Sequence, residues 1–155
     1  MNFFDFAETI ESFRIEQFID DLAIGLEEDN TTLELQLEQW RQGKDSKGEI
    51  MGYYSPWTEY ITQGRKQAGD HYNLFNLGDF YKQTSLWAKQ NGNDLLFHFD
   101  SLSNNKNPLF STLKRYGGYN DPEEIFGLQS ENKDKFTTIA VEKAIKLLNT
   151  NLKFN

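Results

Sequence analysis

The residues best suited to chemistry in this chain are Asp70, His71 and Asp79, within the stretch "QAGDHYNLFNLGDF". An imidazole beside two carboxylates is the arrangement of a general base, with neighbouring glycines shaping a pocket. The competing reading is a loop histidine next to two turn-forming aspartates, and it is favoured because no catalytic motif surrounds the three. The only other histidine, His98, alternates with Phe97 and Phe99 and is predicted to point to one face of a strand. Two histidines without ligand spacing do not make a metal site. The absence of cysteine removes thiolate nucleophiles, thiolate metal ligands and disulfides. Ser55 in "SPWTEY" lacks the strained elbow of a hydrolase nucleophile, and the glycines show no phosphate-cradle pattern. The acid clusters Glu27-Glu28-Asp29 and Asp121-Glu123-Glu124 fit helix ends, where a carboxylate is favoured at the N-terminus, better than a cation site. The chain is therefore read as a non-enzyme without cofactor or metal.

The elements that would position these residues follow from periodicity. The chain has 155 residues, enough for one domain with its own core. It is read as a helical part (1–42), a loop, short helix and β-hairpin (43–101), and a loop with C-terminal helices (102–155). Ile15, Phe18, Ile19, Leu22 and Leu26 recur on one helical face, with acids between them and Gly25 interrupting the last turn. Asn30 or Thr31 is expected to cap a second helix through "TLELQLEQW", whose Glu, Gln and Leu favour helix over strand. "RQGKDSKGE" reads as a polar loop, Ile50 to Tyr54 as a short strand, and Ser55-Pro56 as the cap and first residue of a helix. From Phe80 to Trp87 and from Leu95 to Phe99 the period is two, around an Asn91-Gly92 turn, which predicts a hairpin. "SLSNNKNP" reads as a mobile loop, and Gly117-Gly118 as the stop of a short helix. Ser130 is expected to cap a last helix of about 19 residues with the apolar stripe Val141, Ala144, Ile145 and Leu148, and Phe136 one turn earlier. The fold class is α+β: N- and C-terminal amphipathic helices around a small, largely antiparallel sheet.

Charge and composition narrow the partners. The formal charge is −8, so clustered cations that would displace counterions from nucleic acid are missing, and sequence-specific nucleic acid and anionic membranes are poor partners. "MNFFDFAETIESF" carries Asp5, Glu8 and Glu11 before its first basic residue, Arg14, unlike a secretory signal, and no run approaches a membrane span. Synthesis in a cytoplasm is expected. Aromatic residues make up 15% of a chain with mean hydropathy −0.71, and such residues are favoured at interface cores. Tyr53, Tyr54, Trp57, Phe80, Tyr81, Trp87, Leu109 and Phe110 are the candidate assembly contacts.

Three stretches, in order, carry a resemblance. "GKDSKGEIMGYYSPWTEYITQGRK" is similar to a "G.D..G..ig.Ys" stretch followed by a short helix. "LGDFYKQT" resembles a T-G-x-L/F-x-x-S/T stretch, with Leu77 standing where Thr is usual. "EEIFGLQSENKDKFTTIAVEKAIKLL" resembles a closing segment in which a short turn, here holding Gly127, precedes an acidic cap and a last helix. Together, from about Gly43 to Leu148, they resemble bacteriophage tail-completion and virion-morphogenesis proteins of the neck, or head–tail joining, family. The resemblance implies a virion subunit assembled in the host bacterial cytoplasm. It would be a homo-oligomeric ring, six- or twelve-fold, between portal or adaptor and tail proteins, with DNA passing through the lumen. Gly78, Asp79 and Phe80 then form a structural turn: Gly78 supplies backbone freedom, Asp79 bonds nearby amides, and Phe80 enters the sheet above Leu74, Phe75 and Leu77. The alternative from another class is a small acidic cytoplasmic binding or immunity protein that neutralises a basic partner. A small hydrolase built on His71 is a third.

Overall fold

The computed structural model describes residues 10–11, 13–75, 78–91, 94–103, 106–116, 119 and 121–152. Its elements are α1 (Ile15–Glu27), α2 (Asn30–Arg41), α3 (Pro56–Ile61), α4 (Asp79–Lys82), β1 (Thr84–Asn91), β2 (Asp94–Ser101), α5 (Lys106–Tyr116), a 3-10 turn (Pro122–Ile125) and α6 (Ser130–Asn151). The class is α+β, with helices at both ends around one two-stranded antiparallel sheet.

α1 buries Leu26 and continues through Gly25, where the sequence suggested an interruption; a helical glycine is only weakly unfavourable and does not end a helix by itself. α2 is capped one residue earlier than expected, by Asp29, whose carboxylate accepts the Thr31 N–H at 2.8 Å. The same carboxylate takes the Lys143 ammonium at 2.8 Å, joining α2's start to α6. Both bonds, the Lys143 contact first, hold the Asp29 carboxyl down at about 2.

Trp40 of α2 is the centre of the core. Its ring lies 5.2 Å from Phe80, 5.9 Å from Tyr81 and 5.5 Å from Phe126, and its indole N–H donates to the Ile125 carbonyl at 2.8 Å. Leu37, Met51, Leu74, Leu113, Tyr119 and Ile125 complete the cluster, so all three sequence parts share one core. A second set of buried groups is polar. The Gln39 amide donates to the Asp45 carbonyl at 2.7 Å and the Gly127 carbonyl at 2.9 Å, and accepts the Gln129 N–H at 2.8 Å. Gln36 accepts the Gly127 N–H at 2.8 Å. These side-chain amides stand in for a neighbouring strand and satisfy the irregular segment that leads into α6. Gly127 sits at φ 109°, a conformation that side-chain-bearing residues avoid.

Several expectations are corrected. Ile50 to Tyr54 is not a strand but two isolated bridges, Lys44 with Ile50 and Tyr53 with His71. Phe80 does not enter the sheet: Asp79–Lys82 is one helical turn entered through Gly78 at φ 83°, and the strand starts at Thr84. Adjacent Phe80 and Tyr81 are both buried, which a helical turn permits and a strand, with alternate side chains on opposite faces, does not. Among the described hydrogen bonds the Asp79 carboxylate holds no amide; only its carbonyl is used, by Gln83. "SLSNNKNP" is not all loop, because α5 starts at Lys106 and Ser103 is buried. α6 runs 22 residues and is preceded at the cap by Gln129, with Ser130 as its first residue. Leu77, Gly92, Gly117 and Gly118 lie outside the described residues.

The apolar stripe expected on α6 holds only in part: Phe136, Ala144 and Leu148 are half-buried, and polar residues share the packed face. Asn132 bonds the Leu35 carbonyl at 3.1 Å, Phe136 meets Phe97 edge-on at 4.8 Å, and Lys143 pairs with Asp29. Leu147, half-buried, lies on the same side of the helix. Val141 and Ile145 are left 51% and 53% exposed.

Candidate interaction surface

The sequence-predicted catalytic group does not come together. His71 donates its Nε2–H to the Arg41 carbonyl, 3.0 Å away, and its ring lies against Gly43 so closely that a Cβ there would sit 2.3 Å from it. Asp70 is exposed, and its backbone carbonyl accepts the Tyr54 N–H at 2.8 Å. No described hydrogen bond or ion pair joins His71 to Asp70 or Asp79, and His71 instead staples the bridge at Tyr53 to the end of α2. His98 stacks on its cross-strand neighbour Trp87 at 4.4 Å and 16°. No group of three metal-ligating side chains forms among the described residues.

The surface that stands out is α3 and its supports. Ser55 caps it, accepting the Thr58 N–H at 3.1 Å, and Pro56 takes the first position, as expected. Beneath it, residues 50–54 and 69–72 run antiparallel through the Tyr72 N–H to the Gly52 carbonyl at 2.8 Å and the Gly69 N–H to the Tyr54 carbonyl at 2.9 Å. Tyr54 packs edge-on against Tyr72 at 4.9 Å, and the Lys66 ammonium reaches the Tyr54 hydroxyl at 2.9 Å and the Asn73 side-chain oxygen at 2.8 Å.

On this base, α3 is inverted. Its polar residues are the more covered ones: Thr58, Glu59 and the capping Thr62 are half-buried, and Glu59 accepts the Ala68 N–H at 2.9 Å. Its apolar residues turn outward: Trp57, Tyr60 and Ile61 are 67%, 74% and 57% exposed, and Tyr53, ahead of the helix, is 61% exposed. The i, i+3, i+4 spacing puts the three on one face, and Trp57 stacks on Tyr60 at 5.5 Å. Isolated exposed apolar residues are ordinary, but a contiguous aromatic face marks an interaction surface. The segment 50–72 carries Glu59 and Asp70 against Arg65 and Lys66, so it is neutral in a chain of charge −8.

The other predicted contacts divide. Trp87 is exposed on the outer hairpin face, with His98 and Leu96. Tyr54 is half-buried as a support of the aromatic face, and Leu109 and Phe110 pack against the core from α5. Phe80 and Tyr81 are buried core residues and present nothing to a partner. Tyr60 and Ile61 were missed; their spacing from Trp57 was the signal. No described helix is long and apolar enough to cross a membrane. Neither a scan against protein-family models nor searches of curated proteins and of solved structures finds a match to the chain.

Proposed function

We propose that this protein is a structural subunit of a tailed-bacteriophage virion, a neck or tail-completion ring protein that joins portal to tail. The observation that carries the reading is the inverted α3 helix, which turns stacked Trp57 and Tyr60 to solvent while its polar Thr58 and Glu59 are half-buried. A closed ring needs two different complementary patches on each subunit. The neutral aromatic face of α3 supplies one. The Val141 and Ile145 row of α6, on an otherwise acidic chain, supplies the other. The three stretches that resemble neck proteins give the assembly its identity, and α3 lies within the first of them. An acidic lumen would repel DNA during passage.

The test is the solution mass by size-exclusion chromatography with light scattering, for the protein alone and with portal and tail proteins. A six- or twelve-fold particle of the 18.1 kDa chain in either setting is the expected result. A monomer that ignores portal and tail proteins but captures a basic protein overturns the reading in favour of an acidic binding or immunity protein.

A further inference from the structure

Among the described residues the sheet has two strands, so each has an outer edge. In an antiparallel pair, residues alternate between those whose N–H and C=O face the partner strand and those whose groups face away. The Ala88 N–H points away from β2, because it donates to the Glu27 carboxylate of α1. Ala88 pairs with Phe97, so Phe97 also turns its peptide groups away from the ladder, and with it Leu95, Phe99 and Ser101. The Ser101 N–H confirms the phase, since it bonds the Asp100 carboxylate at 2.7 Å. The two edges therefore differ. On β1 the outward Ala88 N–H is taken by Glu27, whereas the outward groups of Leu95, Phe97 and Phe99 make no hydrogen bond to a described residue.

A cleft of about 390 Å³ opens at that free edge. Phe97, His98 and Phe99 line it along the strand, with Phe97 also meeting Phe136 of α6 edge-on at 4.8 Å. The far wall is Phe126, Gly127 and Leu128 with Phe136, and Lys133 and Glu123 stand at the mouth. Glu123 lies 3.4 Å from Lys106, whereas Lys133 makes no ion pair with a described residue.

We propose that the free edge of β2 and this cleft take an extended, apolar peptide segment of a partner protein, added as a third strand, with an acidic residue of the segment on Lys133. A row of outward N–H and C=O groups at every second residue, about 6.8 Å apart, matches another extended backbone and no compact ligand. The phenyl walls accept alternate side chains, which supply selectivity. The proposal is independent of ring assembly: strand addition can fail in a ring-forming protein and succeed in a monomer.

The test uses the full chain and fluorescein-labelled seven-residue peptides in which Val, Leu or Phe alternates with Thr and one Thr is replaced by Glu. Each has two controls, N-methylated on its odd or its even residues. Fluorescence anisotropy measures binding, and amide hydrogen exchange locates it. The expected result is saturable binding that slows exchange at Phe97 and Phe99 at least tenfold. Methylation in one register, not the other, should weaken binding at least tenfold, and Lys133→Glu should weaken the Glu-bearing peptides more than all-Thr versions. Three results overturn the proposal. One is no binding by any peptide. Another is equal binding by both methylated controls, which makes the cleft a simple apolar pocket. The third is protection of Phe97 and Phe99 on dimerisation without peptide, which makes the occupant a second copy.

Discussion

Replacing Gln39 by Leu tests whether buried amides, more than apolar packing, hold the entry to α6. Gln39 is fully buried, and Leu fills a similar volume without donors or acceptors. Two of the groups that Gln39 serves keep another partner: the Asp45 carbonyl still accepts the Gly48 N–H at 3.0 Å, and Asn132 still donates to the Leu35 carbonyl at 3.1 Å. The Gly127 carbonyl and the Gln129 N–H have no other described partner and would be left unsatisfied. An orphaned buried group costs about 1–3 kcal/mol, so two cost roughly 3–4 kcal/mol after the apolar gain of Leu. That is a large share of a total of about 5–15 kcal/mol. In urea denaturation, with a slope of about 2 kcal/mol/M, the midpoint should fall by about 1.5–2 M. The exposed Gln42→Leu should move it by less than about 0.3 M on the same slope, since an exposed substitution costs within about 0.5 kcal/mol. Amide exchange at Gln129 should accelerate in the Gln39→Leu protein at a urea-free pH 7. A loss below about 1 kcal/mol, or unchanged exchange at Gln129, would refute the latch, because orphaned groups cannot be that cheap in a dry site.

Two further outcomes follow from named contacts. Asp29→Asn keeps an acceptor for the Thr31 N–H but removes the pair with Lys143, and should cost about 1 kcal/mol at pH 7. Because the folded carboxyl is held near 2, below its unfolded value, its contribution is present above about pH 4 and is lost as pH falls through about 2. The gap between Asp29→Asn and the parent, in thermal melts across that range, should therefore close toward acid. Gly43→Ala places a methyl group 2.3 Å from the His71 ring at φ 73° and should cost at least about 2 kcal/mol by overpacking and backbone strain. Adding His71→Ala removes the clash, so the double variant should be less destabilised than the sum of the singles; strict additivity in urea melts would mean that the ring is not what Gly43 admits.

Some of this molecule is legible in its sequence and some is not, for physical reasons. The hairpin shows because its two strands alternate in period two on either side of the stretch "NGND", although Asn91, expected in the turn, is the last residue of β1 and pairs with Asp94; the α3 cap shows because Ser-Pro has one cheap position in a helix. "DFYK" misleads because two adjacent aromatic residues followed by a strand extend the period-two pattern backward, and only the positive φ of Gly78 separates the turn from the strand. The inner face of α6 is hidden because Asn132 and Lys143 belong to it, and polar residues that find partners across a helix interface do not register as core. Gln36 and Gln39 are hidden for the same reason: a glutamine that bonds distant backbone looks, in sequence, like a solvated one. For the candidate surface, the aromatic excess pointed to an exposed segment through Tyr53 and Trp57. It also drew in Phe80 and Tyr81, since composition cannot tell an exposed ring from a buried one.

The most direct measurement of the central claim is the light-scattering mass of Trp57→Ser/Tyr60→Ser beside the parent, alone and with portal and tail proteins. Neither side chain is buried, so the variant should keep the parent's melting temperature and circular dichroism. The parent should form a six- or twelve-fold particle and the variant should remain at 18.1 kDa under the same conditions. A variant that assembles as the parent does would contradict that claim, as would a parent that stays monomeric in every mixture.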